Sequence, residues 1–255
     1  MFFDTHAHYD DRAFAQDRDQ LLEAVHAAGV DLVMDVGCDL SSSMKAAALA
    51  RKYPWIYAAI GTHPSDTAKM TDADLELYRT LAKSNPKVRA IGEIGLDYHW
   101  DSSPRDVQKQ RFRQQLDLAI ELGLPVIIHE RDAHADAMTI VREYAGRVTG
   151  VFHCYSGALE MARELVNLGW YLSFTGVITY KNARKALEVL EWAPMDRLFL
   201  ETDCPYLSPV PNRGKRNDSR NLLYTAQAMA DVKGMTLEEV AARTMASGKK
   251  FFGIE

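Results

Sequence analysis

Two histidines near the amino terminus have the spacing of paired metal ligands. In the segment FDTHAHYD (residues 3–10), His6 and His8 are separated by one residue. Because side chains alternate between the two faces of an extended strand, both imidazoles would lie on the same face. Such a pair can bind one metal ion, or it can be a polar strand end without functional consequence. Other residues must distinguish these two interpretations.

Further ligand-type side chains stand at the ends of apolar segments elsewhere in the chain. They are His63, Glu93, Asp97, His129, His153, Glu201 and Asp203. A single histidine at a strand end is more often a hydrogen-bonding residue than a ligand. A carboxylate inside an apolar segment such as AIGEIGLD is more informative, because its burial costs several kcal/mol unless it is paired or bound to a metal. The metal interpretation therefore depends on whether these side chains converge.

Eight apolar segments alternate with amphipathic segments of helical period, and these predict the elements that would position the polar residues. The predicted strands are residues 1–8, 30–37, 55–63, 88–97, 124–130, 148–155, 170–176 and 197–203. Predicted helices include residues 18–29, 103–123 and 158–169. This alternation favours an α/β fold with one domain, residues 1–255, in the form of a single (β/α)8 TIM barrel. A doubly wound open sheet is the alternative, although no G-x-G-x-x-G or P-loop motif supports nucleotide binding.

In a barrel the carboxyl ends of all strands meet at one mouth, so these side chains would converge there. We predict six metal ligands: His6, His8, Glu93, His129, His153 and Asp203. Two divalent ions that share Glu93 explain six ligands better than one ion with an open position. Asp203 would complete the set around His6 and His8 and would accept a proton from the attacking water. Asp4 and Glu201, each two residues deeper, are predicted to orient ligands.

The ligand types restrict the metal, and a short basic segment suggests a substrate class. Imidazoles with carboxylates suit Zn²⁺ or Mn²⁺, and Mg²⁺ is also accommodated. The net charge of −5 excludes a globally basic nucleic-acid coat, but RGKRNDSR (213–220) is locally basic. Arg213, Lys215 and Arg216 are predicted to contact phosphate, and His63 a phosphate or the scissile group. Four aromatic residues near strand ends could stack on bases: Trp100, Tyr155, Tyr180 and Tyr206.

The cysteine content and the hydropathy of the chain indicate the cellular compartment. The chain has 3 cysteines without paired spacing, which favours free thiols and a reducing compartment. No apolar run is long enough to span a membrane, and the amino-terminal residues lack a signal-peptide pattern. We therefore expect a cytoplasmic protein that does not bind membranes, and we expect a monomer.

Taken together, the motifs resemble those of the TatD family of metal-dependent hydrolases, which are amidohydrolase-like barrels. The matching segments are DTHAH (4–8), GTHP (61–64), IGEIGLDY (91–98), PVIIHER (125–131), FHCYSG (152–157), ETDCPYL (201–207) and RGKRND (213–218). The resemblance implies two metal ions, one held by His6, His8, Glu93 and Asp203 and the other by Glu93, His129 and His153. It also implies a Mg²⁺-dependent deoxyribonuclease, including 3′-to-5′ exonuclease activity on single-stranded DNA or RNA.

The chain departs from the family pattern at two places. Asp218 and Ser219 replace an expected Glu-Pro pair, and Glu130 replaces a smaller residue beside a ligand. The sequence leaves three possible functions to be tested. The first is hydrolysis of DNA phosphodiester bonds, and the alternative is hydrolysis of a small-molecule amide, lactone or ester. The third, a non-catalytic metal-binding protein, does not explain a complete ligand set at an open mouth.

Overall fold

The computed structural model describes residues 1–255 as one sheet of eight strands surrounded by helices, with strand order β1 to β8. The strands are β1 (Phe2–Ala7), β2 (Val30–Val36), β3 (Ile56–Ile60), β4 (Val88–Asp97), β5 (Val126–Arg131), β6 (Gly150–Phe152), β7 (Tyr171–Phe174) and β8 (Leu198–Leu200). The helices are α1 (Arg18–Ala27), α2 (Leu40–Lys52), α3 (Asp72–Ser84), α4 (Arg105–Leu122), α5 (His134–Glu143), α6 (Leu159–Asn167), α7 (Arg184–Trp192), α8 (Leu222–Lys233) and α9 (Leu237–Phe252). Consecutive strands pair in parallel. The predicted (β/α)8 TIM barrel is confirmed.

The barrel closes between its first and last strands. An isolated parallel bridge joins Ala7 to Cys204. The backbone N–H of Asp203 donates to the carbonyl of His6 over 2.9 Å, and that of His8 donates to the carbonyl of Cys204 over 2.9 Å. Closure therefore places the end of β1 directly beside the loop after β8.

Two apolar clusters support the barrel. The larger contains 54 buried residues. The smaller, of 12 residues, joins Phe3 and Phe199 of the strands to Phe251 and Phe252 of α9. Burial of side chains of this size contributes about 2 kcal/mol each. These apolar layers leave the carboxyl ends of the strands as the place where polar groups collect.

Most strands are shorter than predicted, and β6 and β8 are the shortest of them. β6 and β8 each have 3 residues. In the segments that follow them, Cys154 (φ 44°) and Asp203 (φ 57°) have left-handed conformations, which a strand does not contain. His153, Glu201 and Asp203 therefore lie in the loops just after the strands, facing the mouth.

One close approach between strands requires a glycine. Gly95 in β4 has φ +139°, and a Cβ atom there would be 2.0 Å from the carbonyl oxygen of His129 in β5. β4 is irregular between Ile91 and Ile94, where Glu93 lies. This local geometry brings Glu93 and His129 together. Elsewhere, no helix combines the length and apolarity needed to cross a bilayer.

Candidate metal centre

The six predicted ligands converge at the barrel mouth, and the first group forms around β1. His6 Nε2 and His8 Nε2 are 3.1 Å apart. Asp203 Oδ1 lies 3.2 Å from His8 Nε2 and 3.7 Å from His6 Nε2. Glu93 Oε2 is 3.5 Å from His6 Nε2. The donor atoms of His8, Glu93 and Asp203 thus all lie within 3.7 Å of His6 Nε2.

The second group forms around the other oxygen of Glu93. Glu93 Oε1 lies 2.7 Å from His129 Nδ1 and 2.8 Å from His153 Nε2. These two ring nitrogens are 3.4 Å apart. Each carboxylate oxygen of Glu93 therefore faces a different group of imidazoles, as a bridging ligand requires.

The chemistry of these donors fits divalent cations. The two Nε2 atoms of His6 and His8 face each other and also face carboxylate oxygens. A hydrogen bond between two imidazoles satisfies one lone pair, whereas a cation between them binds both. His6 and Glu93 are only 0% and 3% exposed, so bulk solvent does not reach their donor atoms and unpaired polar atoms there are costly. The residues present could hold one ion at each oxygen of Glu93.

Charges within the site are balanced by mutual pairing. Burial alone would raise the pKa of Glu93, but the imidazoles of His153, His63 and His129 hold that pKa well below its usual value. Burial opposes protonation of His8, yet the carboxylate of Asp203 holds its pKa well above 6.5. Bound metal requires neutral imidazoles, so metal binding would release protons and weaken as the pH falls.

Asp97 fixes the orientation of one predicted ligand, a role that sequence reasoning did not assign. Its Oδ2 atom lies 3.0 Å from His129 Nε2, on the ring edge opposite Glu93. Its Oδ1 atom accepts the backbone N–H groups of His99 and Trp100, each over 2.9 Å. The signal available in the sequence was the even spacing of Glu93 and Asp97, which places both on one strand face.

The two predicted orienting carboxylates differ in what they contact. Glu201 accepts the backbone N–H of Cys154 and the hydroxyl of Ser173, each over 2.5 Å. Its Oε1 atom is also 3.4 Å from His153 Nδ1, but that nitrogen has no hydrogen-bond partner, so Glu201 acts mainly on the backbone beside this ligand.

Asp4 instead joins β1 to the loops after β8. It accepts hydroxyl hydrogen bonds from Thr202 and Ser219, each over 2.6 Å. It reaches the backbone N–H of His6 at 3.4 Å, while His6 Nδ1 has no hydrogen-bond partner. Asp4 therefore acts on the strand that carries His6 rather than on its ring.

The two departures from the family pattern have local explanations. Ser219 supplies the hydroxyl that binds buried Asp4, which a proline could not do. The carboxylate of Glu130 accepts the backbone N–H of Ala133 over 2.7 Å and pairs with His134. The carboxylate is thus engaged at the start of α5 rather than directed into the mouth.

Cys38 lies beside the proposed ligands, which sequence reasoning did not predict. Its Sγ atom is 3.8 Å from Glu93 Oε2 and 3.7 Å from His8 Nδ1. Burial raises the pKa of the Cys38 thiol to about 11. All 3 cysteines are free, as the sequence predicts.

The residues predicted to bind substrate have unequal freedom to do so. His63 Nε2 faces the site, 3.8 Å from Glu93 Oε1. The Arg213 guanidinium stacks on Tyr180, 4.2 Å from the ring centre, and forms no ion pair. Lys215 is exposed and also has no carboxylate partner. Arg216 is already engaged, because it makes two hydrogen bonds to Asp17 over 2.8 and 2.5 Å.

Parallel barrels with imidazoles and carboxylates at the carboxyl ends of their strands are typical of metal-dependent hydrolases. Comparison with known proteins specifies the family. Residues 3–253 match the sequence profile described as "TatD related DNase". This chain therefore belongs to the TatD family of metal-dependent hydrolases.

Individual relatives cover the whole chain. The chain is 46% identical over 255 residues to the uncharacterized metal-dependent hydrolase YabD of Bacillus subtilis (strain 168), with 100% of each chain covered. It is 35% identical over 261 residues, 99% of each chain, to the 3′-5′ ssDNA/RNA exonuclease TatD of Escherichia fergusonii. Among solved structures, the TatD homologue YjjV of Escherichia coli K12 superposes with a TM-score of 0.93 at 31% identity, covering 100% of this chain and 98% of that one.

Proposed function

We propose that this hydrolase is a nuclease that uses two divalent ions to cleave phosphodiester bonds at the 3′ end of single-stranded DNA, with RNA as a further substrate. The observation that carries the proposal is the division of Glu93, whose two oxygens face two separate groups of ligand nitrogens. His6, His8, Glu93 and Asp203 would hold one ion, and Glu93, His129 and His153 the other. The exonuclease name of a relative that covers 99% of the chain agrees with this substrate.

Divalent ions at this position supply Lewis-acid chemistry, because they activate water and stabilise the negative charge that develops on phosphoryl oxygens. The side chains of this chain supply the proton transfers and the positioning. Asp203 uses Oδ1 toward His8, whereas its Oδ2 makes no hydrogen bond and its side chain is 16% exposed. The free Oδ2 supports a role for Asp203 as the acceptor of the proton of the attacking water.

His63 is suited to donate a hydrogen bond to the substrate. The backbone N–H of Ser65 donates to His63 Nδ1 over 3.2 Å, so the ring proton lies on Nε2, which faces the site. Burial, with the neighbouring His129, lowers the pKa of His63 to about 4. At neutral pH the ring is thus an uncharged donor whose Nε2 faces the site, where it would donate to a phosphoryl oxygen of the substrate.

Side chains around the mouth favour a single-stranded polymer over a small neutral ester. Trp100 is 65% exposed, with the Arg131 guanidinium 5.6 Å from its ring centre. Tyr206 is 55% exposed, and its ring centre is 6.5 Å from that of His8. Exposed aromatic rings bind unpaired bases by stacking, and cationic side chains such as Arg213 contact phosphates.

The test is an assay of the metal-reconstituted protein on single-stranded DNA, duplex DNA and RNA, with Glu93→Ala as the matched blank. We expect stepwise shortening from the 3′ end of single strands and no activity in the blank. Equal activity in Glu93→Ala would indicate a contaminating nuclease and refute the proposal. Hydrolysis of a lactone or neutral ester without oligonucleotide cleavage would support the small-molecule alternative instead.

A further inference from the structure

A cavity of about 450 Å³ opens beside the proposed metal centre. It lies between the loop after β6, the loop after β7 and the first turn of α7. Its wall begins at Cys154, the residue after His153, and includes Tyr155, Phe174 and Ile178. A group bound here would therefore be adjacent to the proposed site of cleavage. Clefts of this volume accommodate small organic ligands.

The wall of the cavity is largely apolar, and the hydroxyl groups of Tyr155 and Thr175 have hydrogen-bond partners within the protein. Phe174 and Ile178 are buried side chains. The hydroxyl of Tyr155 donates to the carbonyl of Ala158 over 2.7 Å. Thr175 Oγ1 accepts the backbone N–H of Val177 over 3.3 Å. A flat group bound against this wall would make apolar contacts without needing hydrogen bonds.

The rim has the opposite character. Asn182, Arg184 and Lys185 line it and are exposed. They make no hydrogen bond or ion pair within the protein, whereas Arg142 in α5 is held by Glu164. The rim therefore presents free donors next to an apolar slot, at the amino-terminal end of α7. A ligand that fits has a flat apolar body with hydrogen-bond acceptors along one edge.

We propose that this cavity binds the base of the 3′-terminal nucleotide and that Arg184 and Lys185 favour a guanine there. Guanine presents two adjacent acceptors, N7 and O6, and paired donors from arginine or lysine select them. This inference rests on the proposed nuclease function, because it places the terminal base next to the bond that is cut. It goes further by assigning a base preference to the end of the strand.

The experiment measures kcat/KM for single-stranded oligonucleotides that differ only in the 3′-terminal base: guanine, cytosine or an abasic sugar. We expect the wild-type protein to prefer guanine over cytosine by about 10-fold, the value of one good base contact. Arg184→Ala/Lys185→Ala should abolish that preference. Lys181→Ala, which removes an exposed lysine of the same loop that does not line the cavity, should retain it.

A second variant separates this inference from the proposed function. Ala186→Trp would fill the cavity from α7 and should reduce binding of dGMP in equilibrium dialysis to the metal-loaded protein by at least about 10-fold. Unchanged dGMP binding, or a terminal-base preference that survives in Arg184→Ala/Lys185→Ala, would overturn the assignment. If the wild-type protein does not exceed the Glu93→Ala blank, the nuclease proposal fails, whereas dGMP binding still reports on the cavity. Circular dichroism verifies that each variant is folded.

Discussion

Removal of the Asp97 carboxylate should selectively weaken one metal site. Asp97 Oδ2 accepts from His129 Nε2 over 3.0 Å when His129 Nδ1 is the ligand nitrogen. Burial opposes ionisation of Asp97, but the hydrogen bonds from His129 and the Trp100 N–H lower its pKa to about 2. The acceptor is thus a fixed anion at neutral pH. It holds His129 in the tautomer that leaves Nδ1 free to bind an ion.

The expected size of the effect follows from this geometry. In Asp97→Ala, His129 loses the acceptor of its Nε2 proton, and the neutral ring can move that proton to Nδ1. Loss of such an orienting partner typically lowers metal affinity by about 10- to 100-fold. This corresponds to about 1.4 to 2.8 kcal/mol. Asp97→Asn should have a smaller effect on metal affinity, because its amide oxygen can still accept the hydrogen bond from His129 Nε2.

The assay is competition with a chromophoric chelator, which resolves the affinities of two sites. We expect the metal affinity of the site that contains His129 to fall by about 10- to 100-fold in Asp97→Ala, while the affinity of the other site changes by less than about 2-fold. Asp132→Ala is the matched control, because Asp132 Oδ2 pairs with His99 Nδ1 at 3.1 Å but both side chains are largely exposed. Equal affinities in wild type and Asp97→Ala, or equal losses in both variants, would refute the orienting role. ¹⁵N chemical shifts of His129 report the tautomer independently.

Three further predictions follow from other parts of the structure. Gly95→Ala should lower the free energy of unfolding by several kcal/mol, because its Cβ would lie 2.0 Å from a β5 carbonyl oxygen. The control Gly29→Ala (φ +92°, no atom within 4 Å of the added Cβ) should lower it by only about 1–2 kcal/mol. Urea titrations measure both free energies. Burial raises the pKa of Asp35 well above 3.8, so its contribution to stability is present below that value and declines as the pH rises. Asp35→Asn should therefore raise the melting temperature at pH 8 but not at pH 4, and an equal shift at both would contradict this. Arg213→Ala should raise KM for an oligonucleotide several-fold, whereas Arg216→Ala should mainly lower the free energy of unfolding. A raised KM in Arg216→Ala alone would exclude phosphate contact by Arg213.

The barrel and its six converging side chains could be predicted from the sequence because both depend on periodicity. Apolar segments specify strands, and the polar residue at each segment's end needs only the barrel rule to be placed at the mouth. The partner of Arg216 could not be predicted in this way. Asp17 is separated from it by 199 positions, and the contact depends on how the loop after β8 folds against the start of α1.

The Asp97–His129 contact and the partners of Asp4 were also beyond the sequence, for a related reason. The pairing of Gly95 with His129 sets which imidazole Asp97 reaches, and a shift by one residue would direct Asp97 elsewhere. Asp4 was correctly expected near His6, but its hydroxyl partners come from a loop near the other end of the chain. Local spacing predicts which residues share a face, whereas register determines which atoms touch.

The distribution of hydrogen bonds among five buried or half-buried carboxylates separates their roles. Both oxygens are engaged in Asp4, Glu93, Asp97 and Glu201, each by backbone N–H groups, hydroxyls or ring nitrogens. A proton acceptor for catalysis needs a lone pair that substrate water can reach, so these four are suited to hold and orient other groups. Asp203 differs, because only Oδ1 is engaged and Oδ2 is free at the mouth. We therefore propose Asp203 as the proton acceptor of the predicted metal centre, and Asp203→Asn should reduce kcat far more than it reduces metal affinity.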